Sequence, residues 1–447
     1  MRWMTWVFAL MAFSVILPHK MVGGIALGAD DLLAAAALLL LPLRLPAIVS
    51  ARWTPLILTV GLLWATIIVH GVVLGLAASL DILGRLEMPT EMWQYVKRMA
   101  FFYVGFSIAY RRHDAPKVLA LLVSSAVLIA GLIGLAQISD GALSQALASI
   151  YARTDFQLAK LVDKSIAARR VYGVAGHPVA WGGFCMLMAC LALPWLTEGT
   201  RTRLRQDNWW RLAAALLLAV ALVNLLFSAS RAAMAAFGTV LLFSGFIEIV
   251  NRRAGFFGIA RWAALVTGLG GGALLFALDR LEFLVFRFIV LGETSGGGRV
   301  DQVLSGWALL DSNAAWLSGV GNAVQRLRGV SFGVEVEPAY LLVNYGVTGA
   351  AARYALLVII FYMGWRLAKS RSSWAANLGM TTVLLVPGYT VLSLGYFFFQ
   401  ELYVGVTPWL LFGATAGAYQ RVISERTIVD KVSRQPTTQP SSAPASR

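Results

Sequence analysis

The stretch RRVYGVAGHPVAWGGFCMLMACLALPWLT, residues 169–197, decides the fold class of this chain. Its residues from 174 onward are almost all apolar, and about 20 apolar residues suffice for a helix to cross a bilayer. Arg169, Arg170 and His177 stand at the start of this apolar segment. The stretch therefore predicts a membrane-spanning helix that gathers cations at one end.

The composition of the whole chain predicts a polytopic membrane protein. Of its 447 residues, 59% are hydrophobic and only 13% are charged, whereas a soluble domain carries about 25% charged residues. Cys185 and Cys190 lie five residues apart, on different faces of one apolar helix, so neither a disulfide nor a metal site is expected. None of the four histidines belongs to a metal-ligand motif. The sequence thus predicts no metal and no cofactor.

The apolar segments predict an all-α transmembrane helical bundle over residues 1–420, followed by a disordered cytoplasmic tail over 421–447 that is rich in Pro, Ser and Thr. The first segment is interpreted as an uncleaved anchor, although the first two segments could instead form a re-entrant pair. The twelve predicted spans are about 3–18, 29–43, 53–78, 94–110, 117–138, 174–197, 210–228, 231–250, 258–279, 339–367, 375–394 and 397–419.

The basic residues orient this bundle. With both termini in the cytoplasm, the inner loops hold fifteen basic and three acidic residues, while the outer loops are balanced. Such an excess of inner Lys and Arg is the positive-inside pattern. It accounts for the net charge of +15 without a nucleic-acid partner.

Two outer loops are long, one at about 139–173 and the other, the longest, at about 280–338 between spans nine and ten. Within the second, RVDQVLSGWALL (299–310) brings Val300, Leu304 and Trp307 to one helical face. This pattern predicts an amphipathic helix that lies on the outer leaflet or caps the bundle.

Three outer segments each place an arginine at a predicted helix start. Arg170 precedes span six, Arg231 follows a Ser-Ala-Ser turn whose Ser228 or Ser230 could cap the next helix, and Arg299 follows three glycines. Helix N-termini and arginines both favour phosphate. The pattern predicts a lipid-linked anionic ligand, although single interfacial arginines also contact lipid headgroups.

Carboxylates beside these cations are candidates for acid–base chemistry. Glu335 and Glu337 precede span ten, where either could act as a base or stabilise a helix N-terminus. His177 is a base or a hydrogen-bonded turn residue. Asp30 and Asp31 cap a helix or, less favoured, belong to a metal-dependent lipid-linked glycosyltransferase.

Two further charges, Arg353 and Glu401, fall within or near predicted spans and need partners.

Four segments resemble the superfamily of O-antigen ligases and O-antigen polymerases over roughly residues 165–365. RRVYGVAGHPVAWGG is similar to its arginine, glycine and His-Pro segment, and FSASRAAMAAFG to its Ser-Arg turn. GGGRVDQVLSGWALLDSNAAWLSGVG resembles its arginine-led helix, and EPAYLLVNYGVTGA resembles the start of the following span.

The resemblance implies a GT-C-like fold in the bacterial inner membrane, with an active site that faces the periplasm. It implies an inverting, metal-independent transfer from undecaprenyl-diphosphate-linked oligosaccharides. The diphosphate is expected at Arg170, Arg231 and Arg299. The base is expected at Glu337 or, less favoured, at His177.

Three other residues, Tyr172, Glu335 and Tyr340, are candidates for contacting the acceptor or supporting the residues that do. A flippase and a chain-length regulator are expected partners. Family ligases have His-Asn where this chain has Glu337-Pro338, which favours polymerisation over ligation to lipid A–core.

Two other classes of protein remain open: a transporter or flippase of polysaccharide, and a scaffold of an export complex. A transporter should carry polar residues along the middle of several spans.

Overall fold

The structure is a computed structural model of the chain. The residues that it describes are 2–22, 25–39, 82–139, 141–166, 170–197, 207–250, 295–320, 335–370, 372–396, 404–433 and isolated positions between 263 and 275.

Within these residues the fold is all-α apart from one small hairpin, in which β1 (Lys20–Val22) pairs antiparallel with β2 (Ile25–Leu27) and Met21 faces Ala26. The helices are α1 (Arg2–Ser14), α2 (Ala29–Leu39), α3 (Ile82–Arg111), α4 (Ala115–Ser139), α5 (Gly141–Tyr151), α6 (Asp155–Leu161), α7 (Pro178–Thr197), α8 (Asp207–Ser228), α9 (Arg231–Val250), α10 (Ser295–Trp307), α11 (Asn313–Ser318), α12 (Glu337–Leu367), α13 (Ser373–Ser393) and α14 (Val406–Ser433).

Six of the described helices are long and apolar enough to cross a membrane, namely α4, α7, α8, α9, α12 and α13. Each coincides with a predicted span. Of the other predicted spans, the first two meet the short helices α1 and α2, while 94–110 and 397–419 overlap α3 and α14. Spans 53–78 and 258–279 lie mostly or wholly outside the described residues. Twelve spans therefore remain a prediction.

Helix α7, which contains most of residues 169–197, occupies the centre of the bundle. Its apolar window is 83% buried, and it packs against α8, α9 and α13. Trp181 and Phe184 are fully buried in it. A helix that is apolar all round belongs in such a position, and its ends consequently lie at the two ends of the bundle.

Two boundaries differ from the sequence predictions. The outer loop at 139–173 contains the helices α5 and α6. Helix α14 continues to Ser433, past the predicted start of the tail at 421, because no Gly or Pro interrupts residues 421–433 and Arg421 lies 3.6 Å from Glu425 one turn later. Residues 434–447 lie outside the described residues.

The span predicted as one helix over 339–367 is broken at Gly346. This residue has φ 63° and ψ −170°, so α12 consists of a short first segment and a long second one. The end of α11 fits into the break: Val320 N–H donates to the Val343 carbonyl at 2.7 Å, and the Thr348 hydroxyl donates to the Leu317 carbonyl at 2.8 Å.

Only glycine suits this break. Its φ is unfavourable for residues with a side chain, and a Cβ at Gly346 would lie 2.3 Å from the Leu317 carbonyl oxygen. Gly319 and Gly346, the glycines of two segments that carry the family resemblance, thus lie at the same place, where the end of α11 packs against the break in α12.

Candidate functional site

The break in α12 turns the Glu337 side chain back towards Arg353. Residues sixteen apart on an unbroken helix would be separated by about 24 Å along the axis. Here the Glu337 Oε1 lies 3.5 Å from the Arg353 Nη2, and both side chains are buried. Arg353, whose partner the sequence left open, therefore pairs with Glu337. Glu401 lies outside the described residues.

Aromatic side chains from two other helices surround this pair. The Arg353 Nη2 lies 3.4 Å from the Tyr389 hydroxyl on α13, and its guanidinium lies 4.8 Å from the centre of the Trp409 ring on α14. A guanidinium over a Trp face is stabilised by the negative charge of the ring face. Arg353 is thereby held by three elements in a position out of contact with bulk water.

A second buried arginine, Arg98 of α3, faces the same region. It is 3% exposed and lies over the Tyr95 ring, which meets Tyr345 edge-on at 5.6 Å. Tyr345 in turn lies 6.4 Å from Tyr340, ring centre to ring centre. The sequence analysis missed Arg98, although an ionisable residue inside the predicted span 94–110 was the signal that could have revealed it.

The carboxylates Asp30 and Asp31 belong to a buried network rather than to a simple helix cap. The Lys97 ammonium lies 2.7 Å from Asp30 and 2.9 Å from Asp31, and the His19 Nε2 lies 2.7 Å from Asp30. Trp93 Nε1–H donates to Asp31 at 2.7 Å. One part of the capping prediction holds, because Gly28 N–H donates to Asp31 at 2.8 Å.

This network is the one group of described residues with the geometry to hold a metal ion, through His19, Asp30 and Asp31. The Lys97 ammonium, however, supplies positive charge between the two carboxylates. A cation would have to displace it and accept its repulsion. Lys97 therefore occupies the position between the carboxylates that a metal ion would need.

Arg170 and Arg231 both lie beside the turn that joins α8 to α9. Arg170 Nε–H donates to the Ser228 carbonyl at 3.0 Å, and Val171 N–H donates to the Phe227 carbonyl at 3.0 Å. Arg231 begins α9 three residues after Ser228. Ser230, one of the two predicted caps, accepts from Ala233 N–H at 3.4 Å.

His177 lies at the same end of the bundle. Its ring stacks on Tyr396 at 5.3 Å and 9°, and its carbonyl accepts from Trp181 N–H at the start of α7. The neighbouring residue of Tyr396, Gly395, approaches Ala232 of α9. His177 therefore belongs with Arg170 and Arg231, in a region that we call the arginine end.

Tyr172 is fully buried, and its hydroxyl donates to the Ser144 carbonyl in α5. Burial raises the pKa of Tyr172 to about 12. Its backbone N–H and that of Gly173 both donate to Gln137 Oε1, at 3.2 and 2.9 Å. These contacts fix the segment that carries Arg170. The Tyr172 side chain has no exposed surface that an acceptor could contact.

Arg299 lies opposite Glu335, with its Nη2 3.8 Å from Glu335 Oε2. Both side chains are partly exposed, and Glu335 N–H donates to Gln302 Oε1 at 3.1 Å, which holds α10 beside the start of α12. The glycine run lies inside α10, which begins at Ser295, so Arg299 does not open the helix as predicted.

The predicted site residues thus fall into two groups. Arg170, His177 and Arg231 gather at the ends of α8 and α13, whereas Arg299 and Glu335 lie beside the first segment of α12, two residues from Glu337. Tyr389, which contacts Arg353, lies four residues before the end of α13. The predicted amphipathic face of α10 is exposed at Val300, Leu304 and Trp307.

No protein-family model matches the chain, and no curated protein is similar to it in sequence.

Proposed function

We propose that this chain is an inverting glycosyltransferase that polymerises undecaprenyl-diphosphate-linked oligosaccharides into O-antigen or exopolysaccharide at the periplasmic face of the bacterial inner membrane. The observation that carries the proposal is a buried carboxylate, Glu337, among cations of separate segments at one end of the bundle. Arg353 lies 3.5 Å from it, and Tyr389, which contacts Arg353, lies near the end of α13 that precedes Tyr396, the partner of His177.

In the proposed reaction, the acceptor hydroxyl oxygen attacks the anomeric carbon of the donor sugar, and the bond from that carbon to the diphosphate oxygen breaks. The hydroxyl proton passes to Glu337 or, as the less favoured base, to His177, a transfer worth about 10²–10⁴-fold. The leaving undecaprenyl diphosphate carries the electron pair. Arg170, Arg231 and Arg299 neutralise its charge, the kind of stabilisation that fixed cations supply in a water-poor site.

Because Glu337 pairs with Arg353, it could act either as the base or as a residue that positions Arg353. As a base it must release Arg353 when the acceptor arrives, because a neighbouring cation lowers the proton affinity of a carboxylate. As a positioning residue it would instead hold Arg353 towards the diphosphate. Both roles require the ionised carboxylate, because Glu337 pairs with Arg353 only while it is charged.

The test is turnover of a lipid-linked oligosaccharide by the purified protein in detergent with EDTA. Growing ladders on the lipid donor, lost in Arg299→Ala and Glu337→Gln, support the polymerase. Turnover that requires lipid A–core identifies a ligase instead. Loss of turnover on adding EDTA to the wild type contradicts the metal-independent step.

Two controls make the variants interpretable. Arg366→Ala removes an exposed arginine from the opposite end of α12, and Glu425→Gln removes an exposed carboxylate of α14. Both should retain turnover. Because Glu337→Gln leaves a buried arginine without its carboxylate, its unfolding temperature is measured alongside, and Arg299→Ala, which changes a partly exposed residue, carries the conclusion if Glu337→Gln fails to fold.

A transporter of lipid-linked polysaccharide is the second candidate function. The observation that favours it is the burial of Lys97, Arg98 and Arg353 inside the bundle, since intramembrane charges also mark transport pathways. Transport of a fluorescent lipid-linked oligosaccharide in proteoliposomes, lost in Arg98→Gln and unaffected by Glu337→Gln, together with absent turnover, would overturn the polymerase.

A further inference from the structure

A cavity lies at the end of the bundle opposite the arginine end. It is open on one side and is walled by α4, α7, α8 and α13, all four long and apolar enough to cross a membrane. Its wall is mostly apolar, with Leu128, Leu191 and Leu217 deep in it and Ser124 and Ser125 as its hydroxyls. An apolar cavity between membrane helices suits a hydrocarbon chain.

Three tryptophans from three helices form one wall of this cavity. The Trp374 ring lies 4.6 Å from Trp195 and 5.3 Å from Trp210, both edge-on, and Trp195 and Trp210 are 6.5 Å apart. Edge-to-face packing holds such rings rigidly. Tryptophans are enriched at the level of the lipid headgroups. The three tryptophans therefore indicate where, along the cavity, the acyl chain of a lipid would join its headgroup.

The mouth of the cavity is positively charged. Lys117 lies on the same face of α4 as the lining residues Ala120, Leu121 and Ser124, one turn nearer the helix start, and its ammonium is 5.9 Å from the Trp374 ring centre. The helices α4 and α13 both begin here, and their N-termini add positive potential.

The acid nearest to Lys117 in sequence is already engaged. The Arg112 guanidinium donates to both oxygens of Asp114, at 2.9 and 2.7 Å, and these hydrogen bonds hold the pKa of Asp114 below its usual range. Asp114 therefore stays ionised and paired with Arg112, and within the part of the chain that the structure describes no ion pair between Lys117 and a carboxylate is formed.

We propose that this cavity binds one acyl chain of an anionic glycerophospholipid, with the lipid phosphate at Lys117. The positive-inside pattern assigns this end to the cytoplasmic leaflet, where anionic lipids attract basic residues by about 1 kcal/mol each. A bound lipid would bridge four helices and stabilise their packing by mass action. The proposal does not depend on the glycosyltransferase reaction.

The test is native mass spectrometry of the delipidated protein titrated with phosphatidylglycerol and with phosphatidylcholine of the same acyl chains. We expect tighter binding of phosphatidylglycerol by about fivefold, the ratio that corresponds to 1 kcal/mol. Lys117→Ala should reduce the affinity for phosphatidylglycerol to that for phosphatidylcholine. Ala213→Phe, which fills the cavity from its wall, should reduce binding of both lipids.

The matched control is Lys369→Ala. Lys369 is exposed, as Lys117 is, and lies over a tryptophan ring, that of Trp365, at 5.0 Å. It follows α12, a helix that contributes no residue to the wall of the cavity. Equal affinity for the two lipids in the wild type overturns the proposal. An equal loss in Lys117→Ala and Lys369→Ala also overturns it, as does tighter binding of undecaprenyl phosphate than of phosphatidylglycerol. Unfolding temperatures of the variants identify any that do not fold.

Discussion

At the scale of the residue, the molecule buries charge in pairs and networks. Lys97 and Arg98 are neighbours on α3, yet Lys97 is taken up by Asp30 and Asp31 while Arg98 faces the tyrosines near α12. Adjacent helical residues point about 100° apart, so one helix serves two polar clusters. A buried charge without its partner costs several kcal/mol, which explains why these side chains are so closely surrounded.

Tyr172→Phe tests whether Tyr172 supports the arginine end or contacts substrate. The variant loses the hydrogen bond to the Ser144 carbonyl and should be destabilised by about 1–3 kcal/mol, because the buried carbonyl loses its donor. Thermal unfolding in detergent measures the loss, and turnover per folded molecule should stay unchanged. A large fall in turnover with an unchanged unfolding temperature would instead place Tyr172 on the substrate.

The same tyrosine predicts a dependence of stability on alkaline pH. Burial raises its pKa from 10.0 to about 12, so the unfolded chain releases this proton first. Its contribution to stability is full below pH 10 and is lost as the pH rises through 12. The free energy of unfolding of the wild type should fall more steeply over this interval than that of Tyr172→Phe, and parallel curves would contradict the assignment.

At the scale of the element, the break in α12 decides which side chains can meet. Gly346 separates the segment that carries Glu337 and Tyr340 from the segment that carries Arg353, and the end of α11 occupies the break. Hydropathy alone predicts one continuous span over 339–367, because the residues on both sides of the glycine are apolar. The break lies in the backbone, where hydropathy carries no signal.

Gly346→Ala should therefore be far more harmful than an ordinary glycine replacement. The strained φ costs about 1–3 kcal/mol, and the new Cβ would meet the Leu317 carbonyl. Unfolding temperature and turnover should both fall. The matched control is Gly238→Ala in α9, where a Cβ meets nothing within 4 Å; it should gain about 0.5–1 kcal/mol. Similar behaviour of the two variants would contradict the role of the break.

For the molecule as a whole, the orientation in the membrane, with both termini in the cytoplasm, stays a prediction. Cysteine labelling tests it directly, because the native Cys185 and Cys190 are fully buried and give little background. In intact spheroplasts, Asn313→Cys should react with a membrane-impermeant maleimide, and Lys369→Cys should react only after permeabilisation. The opposite labelling pattern would show that the orientation is inverted and that the arginine end faces the cytoplasm.

The sequence alone predicts the all-α class, six spans that coincide with apolar helices, and a helix that contains Arg299. These features depend on local hydropathy and helical periodicity, which any window of the chain displays. Arg170 and Arg231 were both expected at the same level of the bundle, and both lie beside the turn between α8 and α9; a shared ligand stays a prediction.

Which charged residues are partners depends on how the helices pack. The pairing of Glu337 with Arg353, the network of Lys97 with Asp30 and Asp31, and the position of Arg98 each depend on a backbone break or on the rotation of one helix against another. These are long-range properties, set by how whole helices pack. A pattern of residues along the chain does not specify them, because the same apolar segment can cross the membrane in any rotation about its axis.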